Sequence, residues 1–383
     1  MPFIKAGIST NKFSLWCKFA VSSTLFRINH INLIQFRNYL SASFQLDSQV
    51  TAICGLNGAG KTNLLDSVYY LCFTRSYLGQ SDSASVRQGL SGFNITGEFQ
   101  KKGSSQKVSV ILRETGKKEL WVDKEQVSPF SAHIGQLPVV FVAPDDTELI
   151  TGGSEERRKL IDTIISQTDA VYLNHLIRYG KCLQDRNKYL KSCQDGQPDH
   201  LLLDSFDEQL IQSGTAILLK RTAFLEAFIP LVCTLFEHIS AGAEHPLLSY
   251  MPSTSATGYR SDMADRRQKD IILQRTTVGI HRDDLEISLN GMPFRQIASQ
   301  GQKKSLLFAL KLAEFTMLKT HFEFEPILLL DDIFEKLDQN RLNKLLDWVC
   351  VQNKGQVIMT DTHPDRITHA MEAIAVPFKL LTP

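Results

Sequence analysis

The stretch Gly55-Leu56-Asn57-Gly58-Ala59-Gly60-Lys61-Thr62 constrains this chain more than any other eight residues. Two glycines separated by four residues, followed by Lys-Thr, form a loop whose backbone N–H groups close around phosphate oxygens. The flanks supply the context that the pattern needs. Val50-Thr51-Ala52-Ile53-Cys54 is short, apolar and β-branched, as a buried strand should be. After the loop, Leu64, Leu65, Val68, Leu71 and Cys72 recur at helical spacing. Strand, glycine loop and helix place a helix N-terminus, worth about half a positive charge, against the phosphates. Lys61 then reaches the β- and γ-phosphates, Thr62 gives its hydroxyl to Mg²⁺, and Asn63 follows in the first turn.

Composition narrows the class without naming it. The 383 residues are enough for two or three domains, and 43% hydrophobic with 22% charged content describes an ordinary globular chain. A net charge of +1 means that any basic surface must arise by local clustering. The 7 cysteines are scattered without metal-ligand spacing, so they are expected as reduced core thiols of a cytoplasmic protein. There is no apolar run long enough to span a membrane. Residues 1–24, in which Lys5, Lys12 and Lys18 interrupt Phe3, Phe13, Trp16 and Phe19, are read as a poorly ordered extension rather than a secretory signal.

Strand signals dominate residues 25–153, including Phe26 to Phe36, Gln106 to Leu112, Glu119 to Val122 and Val139 to Val142. Residues 154–265 read as a mostly helical insertion whose last part, Gly242 to Asp265, is a loose Ser/Pro/Met-rich segment. In residues 266–383 strands return. Leu285 to Leu289 runs into Asn290-Gly291, a type I′ hairpin signal. Helix and strand then alternate: a helix over Gln302 to Lys319, a strand over Ile327 to Leu330, a helix around Leu342 to Val349, and a strand over Gln356 to Met359. That alternation predicts an α/β fold with a parallel sheet, its two halves lying at the two ends of the chain around an inserted helical arm.

Ile327-Leu328-Leu329-Leu330-Asp331-Asp332 is an apolar strand ending in paired acids. With the glycine loop, Asp331 is the expected Mg²⁺ partner and Asp332 the carboxylate that orients or deprotonates the attacking water. Ser299-Gln300-Gly301-Gln302 opens the helix just upstream. Serine at a helix start is also an ordinary N-cap. In this order, however, it supplies a second anion site.

The position of Ser299, Gly301 and Gln302 resembles the signature loop of the ABC ATPase superfamily, and Leu337-Asp338 resembles its D-loop. Within that superfamily the chain resembles the RecF family, related to Rad50 and SMC heads, from Leu25 to the C-terminus. The resemblance rests on Phe36-Arg37-Asn38-Tyr39, on Asn57, Ala59 and Asn63 in the glycine loop, and on Pro144-Asp145. It continues through Gly152-Gly153 with Arg157-Arg158 and Asp162, through Arg186-Asn187, through Gly279 to Asp284, and through Ala298 to Gln302. Ser154, Leu160, Ile280, Lys303-Lys304-Ser305 and Glu335-Lys336 depart from the family pattern.

The resemblance implies a P-loop ABC-type ATPase head that binds ATP and Mg²⁺ through the loop residues Gly55 to Asn63. It implies an ATP-dependent homodimer in which Ser299, Gly301 and Gln302 complete the partner's site. It further implies slow hydrolysis, binding to single-stranded, gapped and junction DNA, and work with RecO and RecR in RecA loading, DNA repair, replication restart and SOS induction. The alternative of a membrane-transporter ATPase subunit fits the long insertion poorly. Candidate DNA contacts are Arg157, Arg158, Arg178, Lys181 and Arg186, with Lys188 and Lys191 on the same series. A solvated helix face with Glu155, Glu156 and Asp185 nearby accounts for them equally. His363 reads as a switch histidine or as a surface loop residue. The polar run His281 to Asp284 reads as chemistry or as a salt-bridged bend.

Overall fold

The computed structural model describes residues 26–193, 198–240, 245–333 and 339–383. In chain order the first lobe comprises β1 (Phe26–Phe36), β2 (Tyr39–Gln45), β3 (Val50–Cys54), α1 (Lys61–Phe73), β4 (Phe93–Lys101), β5 (Ser104–Leu112), β6 (Lys118–Val122), β7 (Glu125–Gln126) and β8 (Val139–Val142). The helical region follows with α2 (Glu148–Thr151), α3 (Ser154–Thr168), α4 (Ala170–Ser192) and α5 (His200–Ser240). Then come β9 (Leu247–Met251), α6 (Tyr259–Leu273), β10 (Asp284–Leu289), β11 (Met292–Pro293) and α7 (Phe294–Ile297). The chain closes with α8 (Gln300–Phe322), β12 (Ile327–Leu330), α9 (Gln339–Leu346), β13 (Val357–Asp361), α10 (Pro364–Ala373) and β14 (Lys379–Leu381).

Five strands form a parallel sheet in the order β14-β3-β13-β12-β8, which interleaves the two ends of the sequence. β3, β8, β12 and β13 are buried along their whole length, the mark of a sheet covered on both faces. A second, antiparallel sheet runs β2-β1-β4-β5-β6-β7. Helix α1 lies between the sheets, and every residue from Leu64 to Phe73 is buried. Gly97 of β4 permits that packing, since a Cβ there would stand 2.5 Å from Leu71 Cδ1. The α/β architecture with a helical insertion is as predicted.

The insertion is more ordered than its composition suggests. Gly242 to Asp265 contains β9, paired antiparallel with β10, and the first turns of α6. The boundary between residues 265 and 266 therefore falls inside a helix. Asn290 and Gly291 adopt φ 52 and 76, as the predicted hairpin turn requires.

Two buried arginines knit the helices together. Arg186 of α4 donates to Asp207 and Asp270, each at 2.8 Å, and to Thr276 Oγ1 at 2.9 Å. Arg221 of α5 bonds Asp162 of α3 at 2.9 Å and Asp283 at 3.0 Å. Removing one partner from such a buried pair costs about 3–5 kcal/mol, because a charge is stranded. Asp283 also accepts from Tyr250 at 2.6 Å and from the Ser253 N–H at 2.8 Å. Asp284 receives the Arg157 guanidinium through bonds of 2.8 and 2.9 Å. The run from His281 to Asp284 is a salt-bridged bend that joins α3, α5 and β10.

Candidate nucleotide site

The glycine loop connects the end of β3 to the first residue of α1. Gly58 and Gly60 have φ 82 and 111, a region that L side chains rarely enter. At Gly60 space is lacking as well, since a Cβ would lie 2.4 Å from Asn38 Nδ2 and 2.8 Å from the Tyr39 hydroxyl. Those two residues form part of the β1–β2 turn and hold the loop from behind. Asn38 Nδ2 donates to the Ala59 carbonyl at 3.1 Å, Tyr39 OH to the Gly60 carbonyl at 3.1 Å, and Asn63 Nδ2 to Asn38 Oδ1 at 2.8 Å. Arg37 is committed to structure, with bonds to Asp66 at 2.6 Å and Ser76 at 2.8 Å. The loop carbonyls are thereby tied back, and the first turn of α1 has no side-chain cap. Its leading N–H groups have no partner within the helix. Leu56, Asn57 and Gly58 are exposed at the tip.

Lys61 is buried and folds over the loop, its Nζ donating to the Gly55 carbonyl at 2.9 Å and to Leu56 at 3.3 Å. Thr62 Oγ1 meets Asp331 Oδ2 at 2.9 Å, bringing together residues 269 apart in sequence. Burial pushes the Asp331 carboxyl above its ordinary range, against the hydrogen bonds from Thr360 and Thr62. Asp332 is half-buried, has φ 46, and gives its N–H to Thr360 Oγ1 at 2.9 Å. A hydroxyl beside a carboxylate is the hard oxygen set that suits Mg²⁺. With the uncapped helix start and the lysine ammonium, these residues fit a nucleoside triphosphate and its cation.

Ser299 is the N-cap of α8 and accepts from the Gln302 N–H at 3.2 Å, while Gln302 Oε1 accepts from the Ser299 N–H. The cap uses an acceptor lone pair of Ser299 Oγ and leaves its proton to donate. Gly301 lies against Arg341 of α9, whose Nη1 would be 1.8 Å from a Cβ at that position. Leu337-Asp338, the D-loop candidate, lies outside the described residues. His363 is exposed at the start of α10, with its N–H bonded to Asp361 Oδ1 at 2.7 Å.

The basic candidates divide sharply. Arg186 is fully buried, and Arg157 is buried and forked onto Asp284, so neither is a surface contact; this corrects the sequence reading. Arg158 is turned inward, bonding Ser154 Oγ and the Asp283 carbonyl, each at 2.6 Å. Arg178, Lys181, Lys188 and Lys191 of α4 are exposed, and none has a carboxylate partner among the described residues. Sequence reasoning gave no role to Thr360 or Arg341. Thr360 is one polar residue at the end of a buried strand, and Arg341 is one of many surface-type cations. Asn38 was noticed only within a resembling stretch.

Comparison with known proteins agrees with this geometry. The family model described as RecF/RecN/SMC N terminal domain matches residues 27–379. The DNA replication and repair protein RecF of Cytophaga hutchinsonii is 37% identical over 354 residues, covering 92% of this chain and 94% of that protein. Its counterpart in Flavobacterium johnsoniae is 36% identical, covering 92% and 99%. Among solved structures, the recombination mediator protein RecF-ATPrS in the RecFOR pathway superposes with a TM-score of 0.83 at 28% identity, covering 90% of this chain and 94% of that one. The Smc head domain of Pyrococcus furiosus, at TM-score 0.52 and 16% identity, shares the fold over 90% and 92%. Strand order, phosphate loop, acidic strand and these relatives converge: the chain belongs to the RecF family of ABC-type ATPases.

Proposed function

We propose that this protein is an ATP-gated, DNA-binding recombination mediator. It dimerises around two ATP molecules, engages single-stranded, gapped or junction DNA, and supports RecA loading with RecO and RecR. Through this it serves repair, replication restart and SOS induction. The observation that carries the reading is Thr62 of the phosphate loop lying 2.9 Å from Asp331 at the end of β12, with a serine-capped helix N-terminus on α8 for a second subunit.

Lys61 holds the β- and γ-phosphates by exchanging its loop carbonyls for phosphate oxygens. The cation supplies charge neutralisation when bound, and Thr62 and Asp331 are the residues that hold it. Ser299, Gly301 and Gln302 bind the γ-phosphate across the dimer, so ATP favours the dimer to the extent that it contacts both subunits. Asp332 orients the attacking water. It is one methylene shorter than a glutamate, which suits slow hydrolysis and a switch rather than a motor. Arg178, Lys181, Lys188 and Lys191 span 14 residues of α4, about 20 Å of helix, and offer phosphates a row of exposed cations interrupted by Asp185. The transporter-ATPase reading draws no support from the relatives.

Sedimentation with ATP, ADP and no nucleotide, repeated on Ser299→Arg, tests the gating. The expected result is an ATP-dependent dimer that the variant cannot form, with turnover stimulated by gapped DNA. A monomer under all three conditions would remove the mechanism.

A further inference from the structure

We infer that Thr360 is a positioning residue of the nucleotide site, one hydroxyl that holds Asp331 and Asp332 in register. The inference rests on the nucleotide-site reading above. Thr360 lies on β13 and is wholly buried. Its hydroxyl donates to Asp331 Oδ1 at 2.7 Å and accepts from the Asp332 N–H at 2.9 Å. Both ends of the O–H are in use, so its orientation is fixed.

The location in the sheet explains why a side chain is needed. The parallel ladder between β12 and β13 ends at the Leu330–Met359 pair. Beyond it, β13 continues against β3, with Thr360 opposite Ile53, while the chain of β12 turns away. At Asp332 the backbone has entered the left-handed region, φ 46, uncommon for a residue with a side chain. The N–H of Asp332 bonds the Thr360 hydroxyl rather than a strand carbonyl. The same hydroxyl pins one oxygen of the Asp331 carboxylate, while Thr62 approaches it from α1. Asp331 is thus gripped by two threonines from different elements, and Asp332 is launched in a set direction. Outer residues that orient a metal ligand typically change metal affinity or activity 10- to 100-fold when removed.

The test is Thr360→Val, which keeps the β-branched shape and deletes the hydroxyl, compared with Thr360→Ser, which keeps the hydroxyl. Binding of a fluorescent ATP analogue is titrated with Mg²⁺, and ATP turnover is measured in parallel. The valine variant should bind nucleotide in EDTA as the parent does. It should need about 10- to 100-fold more Mg²⁺ for the metal-dependent tightening and turn over more slowly, and serine should restore both. If valine does not fold, Thr360→Ala against Thr360→Ser makes the same comparison. Wild-type Mg²⁺ dependence and turnover in the hydroxyl-free variant, alongside loss of both in Asp331→Asn, overturns the role of Thr360 and leaves the site reading intact. Retention of both by Asp331→Asn as well overturns the site reading itself.

Discussion

Glu314 of α8 predicts an unusual dependence of stability on pH. Its carboxyl is buried, lies 3.5 Å from the Lys311 ammonium, and has one oxygen, Oε2, without a hydrogen-bond partner. Burial pushes it from 4.5 up to about 7, with Lys311 pulling it down and Asp146 raising it. Lys311, although burial opposes its charge, is held above its ordinary value by Asp146 and Glu314. Between the unfolded value near 4.5 and the folded value near 7, the native protein keeps a proton that the unfolded chain has released. Stability from this group is therefore present below pH 4.5 and is lost as pH rises through 7. The displacement corresponds to roughly 3 kcal/mol.

Glu314→Gln replaces the protonated carboxyl with a neutral amide of the same shape, and any fixed cost of the amide is independent of pH. Urea denaturation of both proteins from pH 4.5 to 8 at constant ionic strength isolates the effect, because titrating groups distant from Glu314 cancel in the difference and coupled Lys311 stays charged throughout this range. The glutamine variant should gain on the parent by roughly 3 kcal/mol across the interval, most steeply between pH 5 and about 7. A flat difference would refute the argument. A difference of opposite slope would mean that Glu314 is ionised in the native state and paired with Lys311.

Two further outcomes test the composite site and the DNA face. Gly301→Ala should leave unfolding within about 1 kcal/mol of the parent, because the small helical gain of alanine is offset by the shift of the Arg341 side-chain end that its Cβ forces. The same change should weaken the ATP-dependent dimer in sedimentation by displacing Arg341, and a wild-type dimer would exclude a role for that contact. Replacing Arg178, Lys181 and Lys188 together by Gln should lower the slope of log affinity against log salt by about 0.7–0.9 per lost phosphate contact. The same substitutions should leave the melting temperature unaltered. An unchanged slope would assign the stripe to simple solvation.

Much of the nucleotide-binding half was legible in the sequence because its signals are local. β12 occupies Ile327–Leu330 as predicted, since four apolar residues buried on both faces have little alternative. Asn290-Gly291 turns as its φ preferences require, and Ser299 begins α8 where an N-cap is expected. What failed to show depends on partners distant in the chain. β9 reads as loop until β10 pairs with it, Tyr250 meeting Leu285. α6 buries only Tyr259, Met263 and Asp270, too few apolar residues for a periodic signal. Arg186 looked like its neighbours Lys181 and Lys188. Its carboxylate partners stand 21 and 84 residues away, and only folding distinguishes it from a surface cation.

The 41-residue helix α5 gives the molecule a lever. It packs against α8, which Ser299 caps, and pairs along α4, which carries Arg178, Lys181, Lys188 and Lys191. Buried Arg186 and Arg221 brace α4 and α3 against the part of α5 that precedes its interior Pro230. A tilt of about 5° carried along the roughly 45 Å of α5 that precedes Pro230 would move its end by about 4 Å. On the proposed reading, a phosphate lost at one end of this path would shift the position of the α4 cations at the other.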